Sequence, residues 1–181
     1  MKKICSIFLI CTIMLTGFSM PTFADKMPSI KNLTDEKVSL LETSVNDVFY
    51  NIINRVEDYS DSRGVLFDAM CYSDLIVRYY MSFKFKERAR EYLAKMYVIK
   101  GEMMWCSFDK TLVPIQLEIY FLRQAAFVIS FNKNSNLCSE INKMLTDFEK
   151  NAVEFIKADN FCSKLSKKEI EDKLYEGIPN N

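Results

Sequence analysis

The chain has 181 residues, of which 49% are apolar, 27% charged and only four glycine, a composition that builds a packed globular protein and not a linker or a repeat stalk. Its 24 basic residues balance its 24 acidic ones, so no global basicity points to nucleic acid and no acidic run to a disordered tail. Histidine is absent throughout, which removes Ser-His and Cys-His nucleophilic pairs, most zinc sites and the Glu-x-x-His di-iron sites of helical bundles.

The first element is an export signal. Lys2 and Lys3 form a short positive region, residues 4–15 are apolar without a charge, and Thr22 and Ala24 place small residues where a signal peptidase inspects the chain. The apolar stretch is too short to span about 30 Å of hydrocarbon comfortably. Cleavage is therefore expected after Ala24, leaving residues 25–181 as a single helical domain in a secreted or periplasmic bacterial protein. Cys5 and Cys11 lie too early for lipid anchoring. Without Lys2 and Lys3 the mature chain carries a net charge of −2.

Downstream, apolar residues recur at steps of three and four, and no long stretch alternates at period two. Val38, Leu41, Val45, Val48, Ile52 and Val56 make the first helical stripe, with Phe49 and Ile53 widening it and Thr34 or Asp35 as cap. A second helix starts near Gly64 and carries Leu66, Ala69, Met70, Ile76, Val77 and Tyr80. A third runs from about residue 85 through Ala89, Tyr92, Leu93, Met96, Ile99 and Met103. Pro114 suits the first turn of a fourth, which is apolar nearly all round over residues 115–131. A fifth holds Ile141, Met144, Leu145, Phe148, Ala152, Phe155 and Ile156, and a short sixth opens on Ser166 and Glu169 in capping-box spacing. The short connections make consecutive helices antiparallel. The fold expected is all-α: an up-down bundle of about five main helices plus a short C-terminal helix, with the fourth at its centre.

Four cysteines follow the signal, and an even count in an exported chain points to two disulfides. In an up-down bundle Cys106 and Cys162 reach one end, whereas Cys138 sits at the other. The pairing expected is Cys106 with Cys162 and Cys71 with Cys138, the second being harder because Cys71 lies well inside the second helix.

Several patterns bear on chemistry. Residues 78–95 contain Arg78, Lys84, Lys86, Arg88, Arg90 and Lys95 against two acids, with aromatics between them, a candidate basic interaction patch or else a hairpin tip with solvated charges. Residues 35–61 lean acidic, and the two faces could simply attract each other. Glu118, inside the apolar fourth helix, is the best candidate for acid–base work, because burial would raise its pKa. Its structural reading is an ion pair or a narrow exposed strip; Arg123 is slightly too far along the helix to pair with it. Met103, Met104, Trp105 and Cys106 outline a soft copper(I) site only superficially and read as core filler. No metal ligand set, Gly-rich phosphate loop or cofactor motif is present in the sequence. These features favour a small exported binding protein without catalytic activity, of inhibitor, immunity, adaptor or chaperone type. Its expected partner is another exported or envelope protein, with no nucleic acid and with membrane contact only during export. The alternatives are a carrier for an apolar ligand in the bundle core, and a carboxylate enzyme that works without histidine.

Overall fold

The structure, a computed structural model, describes residues 30, 33–55, 59, 63–107, 112–132, 135–157 and 165–178. The chain divides into two units, residues 1–32 and 33–181, and the second is described below. The proposed signal, residues 1–24, lies outside the described residues, as do Val56 and the side chains of Phe155 and Ile156.

The described residues form six helices: α1 (Asp35–Asn54), α2 (Arg63–Ser82), α3 (Lys86–Ser107), α4 (Leu112–Ile129), α5 (Asn136–Lys157) and α6 (Lys167–Leu174). The all-α bundle expected from periodicity is the fold observed. Local chemistry sets the ends. The Thr34 side chain accepts from the Lys37 amide to start α1, and Asp35 and Glu36 in the first turn complement the helix dipole. Arg55 ends α1 in the left-handed region, with φ 52°. Ser166 and Glu169 form the reciprocal capping box that opens α6.

Each helix packs on the next, and α1 also meets α3 and α5 while α4 meets α6. The pairings give the direction of travel. Glu42 and Asn46 of α1 meet Arg88 and Lys95 of α3 in rising order, so α1 and α3 are parallel. Asn132, just past α4, meets Glu87, while Phe121 stacks on Tyr97 of α3, so α3 and α4 are antiparallel.

The centre belongs to α3 as much as to α4. The two most extensive interfaces are those of α3 with α2 and with α4. Ala89, Tyr92, Ala94, Lys95, Val98, Ile99 and Gly101 are buried, and they point to most sides of α3. The small residues Ala94 and Gly101 let neighbouring helices approach. By contrast α4, for all its apolar composition, buries one stripe: Pro114, Ile115, Glu118, Ile119, Leu122, Ala125 and Ile129. Val113 and Phe127 of the same helix face outward. By length and composition alone α4 could cross a membrane, a test that the core helix of a soluble protein also passes.

Candidate functional site

One end of the bundle stands apart. Here α1 begins, α2 turns into α3, and α4 leaves towards α5. The Tyr79 hydroxyl donates to the Asp35 carboxylate, fastening the last turn of α2 to the first of α1. The Asn132 amide donates to the Glu87 carbonyl at 2.8 Å, fastening the end of α4 to the start of α3. The α2–α3 turn closes as helix C-termini commonly do: the Phe85 amide reaches back to the Tyr80 carbonyl at 2.9 Å, and Lys84 sits in the left-handed region at φ 62°.

This turn carries Met81, Phe83 and Phe85 into solvent, the two phenylalanines 57% and 59% exposed. Phe131, 56% exposed, and Phe127 stand at the same end, their rings 5.2 Å apart. All four exposed phenylalanines among the described residues belong to this end. Single exposed apolar residues are ordinary, whereas a cluster marks an interaction surface.

The six basic residues singled out from the sequence do not share one face. Lys84 and Lys86 are exposed on the tip beside Phe83 and Phe85. Arg90 joins them: its guanidinium lies 5.5 Å from the centre of the Phe131 ring and donates to Asn132. Arg78 pairs with Asp74 one turn back along α2, at 2.8 Å. Arg88 turns toward α1 and pairs with Glu42 at 3.3 Å and Glu91 at 3.2 Å, over the rings of Tyr80 and Tyr92.

Lys95 is buried, 7% exposed. Its ammonium donates to Asn46 Oδ1 at 2.6 Å and lies 4.6 Å from the Tyr92 ring centre, 5.5 Å from Phe49 and 6.0 Å from Tyr50. Ring faces thus replace the carboxylate that a buried amine ordinarily needs. Burial lowers the Lys95 pKa, Glu91 opposes the shift, and Arg88 adds to it. A cleft of about 360 Å³ opens beside Lys95 between α1, α3 and the start of α5, with Glu42, Arg88, Glu91 and Glu140 on its walls. A second cleft, about 670 Å³, lies between α5 and α6, and most of the residues lining it are charged. The enclosure of Lys95 was missed from the sequence. Its signal was the spacing of Arg88, Tyr92, Lys95 and Ile99, which share one face of α3.

Glu118 matches neither structural reading offered for it. It is 1% exposed, and neither carboxyl oxygen has a hydrogen-bond partner among the described residues. Burial first, and the charge of Glu102 second, push its pKa well above the carboxylate range. Gly101 of α3 makes room for it: a Cβ there would lie 2.6 Å from Glu118 Oε2. Arg123 instead pairs with Glu149 of α5 at 2.9 Å.

The expected bond between Cys71 and Cys138 is not formed; both are free thiols. Cys138 is in the first turn of α5, at the phenylalanine end, whereas Cys71 lies about 16 Å short of the α2 terminus at 1.5 Å per residue. Nor do α2 and α5 share a substantial interface. A disulfide needs Cα atoms within about 7 Å. The other pairing, Cys106 with Cys162, lies outside the described residues because Cys162 does. Met103, Trp105 and Cys106 pack against the core, with Trp105 edge-on to Phe148 at 5.3 Å.

No protein family, curated protein or solved structure matches the chain.

Proposed function

We propose that the chain is an exported, non-catalytic binding protein that meets its partner with the end of the bundle carrying Phe83, Phe85 and Phe131. The observation that carries this reading is the gathering of the exposed phenylalanines at that end, beside Lys84 and Lys86. Leaving such side chains in water forgoes about 1.5–3 kcal/mol of burial each, a standing cost that partner contact recovers. The alternatives draw less support. The cleft beside Lys95 is lined almost wholly by polar groups and the one between α5 and α6 mixes charged and apolar surface, so neither offers the apolar enclosure that such a cargo needs. Glu118 is sealed from solvent, out of reach of a substrate.

Export rests on the tripartite N-terminus. Of the two expected disulfides, Cys106 with Cys162 stays a proposal, which peptide mapping of exported material without reductant decides.

The binding reading is tested by affinity capture from the envelope and culture medium, comparing the exported protein with its Phe83→Ser/Phe85→Ser variant. The reading expects a component, protein or lipid, that the wild type enriches and the variant loses at unchanged helical circular dichroism. Equal capture by both would place the binding surface elsewhere and overturn it.

A further inference from the structure

We infer that the partner of this end is an anionic lipid bilayer surface, met by the folded protein and not only during export. The inference rests on the binding surface proposed above. Shape is the first argument. Phe83, Phe85 and Phe131 line neither of the two clefts described above. Phe83 and Phe85 project from a tight turn at the bundle's extremity, and Phe131 stands beside them where α4 ends. Exposed rings carried on a turn and on a helix end suit insertion among acyl chains and head groups, where no complementary pocket is required.

Charge is the second. Within residues 81–90, Lys84, Lys86, Arg88 and Arg90 face a single acid, Glu87. Arg88 is occupied by Glu42 and Glu91. Lys84 and Lys86 remain exposed in direct alternation with Phe83 and Phe85, and Arg90 lies against Phe131. Apolar side chains at the depth of the acyl boundary, with cations at phosphate level, is the arrangement that binds anionic bilayers. Asp35 and Glu36, both exposed in the first turn of α1, are further acids at this end; Asp35 accepts from Tyr79, and both lie on α1, whereas Lys84 and Lys86 alternate with the rings on the α2–α3 turn itself.

The test is co-sedimentation of the exported protein with vesicles of equal parts phosphatidylcholine and phosphatidylglycerol, against phosphatidylcholine alone. Binding to the anionic vesicles is expected, weakening as salt rises. Lys84→Glu/Lys86→Glu should lower partitioning roughly thirtyfold or more, since each cation near such a surface contributes about a fivefold effect. Phe83→Ser/Phe85→Ser should lower it about tenfold at least. Thermal melts of both variants separate lost binding from lost fold, and two exposed lysines provide a route that leaves the core alone. Binding that ignores both substitutions, as a retained N-terminal segment would give, overturns the inference. Absence of vesicle binding alongside tip-dependent capture of an envelope protein also overturns it, yet leaves the binding reading intact. Failure of capture and vesicle binding together sinks both.

Discussion

Glu118 holds two oxygens without hydrogen-bond partners among the described residues, in the middle of the α3–α4 interface against the bare backbone of Gly101. Only the protonated form is compatible with that setting, because an isolated buried carboxylate lacks the hydration it loses. The folded chain keeps this proton to higher pH than the unfolded chain, whose carboxyl ionises near the ordinary value of about 4.3. Between the two values the folded state binds more protons, so this contribution to stability is complete below the ordinary value and falls as pH rises through the folded one. Glu118→Gln has no proton to lose. Urea titrations from pH 4 to pH 8 should therefore show the variant gaining on the wild type as pH rises, by on the order of 1–3 kcal/mol. Parallel curves across that range would mean the carboxyl is paired or hydrated after all. The sequence showed that Glu118 sits in an apolar helix. It could not show that Gly101, seventeen positions earlier, would be the surface it packs on.

At the scale of the helix and the turn, what was legible was local. The α1 stripe, the Thr34 cap, Pro114 in the first turn of α4 and the Ser166–Glu169 box all act within a few residues, and all stand where the pattern put them. The identity of the central helices was harder to read. Apolar composition favoured α4, but α3 buries Lys95 by wrapping it in Phe49, Tyr50 and Tyr92, rings supplied largely by α1. A run of charges also hides its phase. Lys86 and Lys95 are about two and a half turns apart and so lie on opposite sides of α3, one in solvent and one in the core. The α2–α3 turn carries its own test. Lys84 occupies a left-handed position that glycine fills without steric cost, whereas an L side chain there is disfavoured by about 1 kcal/mol. Lys84→Gly should raise stability by roughly that amount and at the same time weaken vesicle binding by removing a tip charge. A destabilised variant, read by urea unfolding, would refute the strain; unchanged binding would refute the role of the charge.

Across the whole domain, the stabilising interfaces and the proposed binding surface occupy different parts of the bundle. The two extensive interfaces of α3, with the sealed side chains of Phe49, Leu66, Ile76, Tyr92, Ile99, Ile119 and Leu122, hold the helices together. The end where α1 starts carries the exposed rings and cations, and the clefts beside Lys95 and between α5 and α6 carry balanced or acidic charge. Contact with a partner should therefore be local and leave the remaining backbone as it was. Hydrogen–deuterium exchange of residues 25–181, with and without material from the cell envelope, reads this residue by residue. The account predicts slowed exchange confined to residues 79–90 and 127–132. Slowed exchange along the α5–α6 cleft or around Lys95, with that end unchanged, would contradict it.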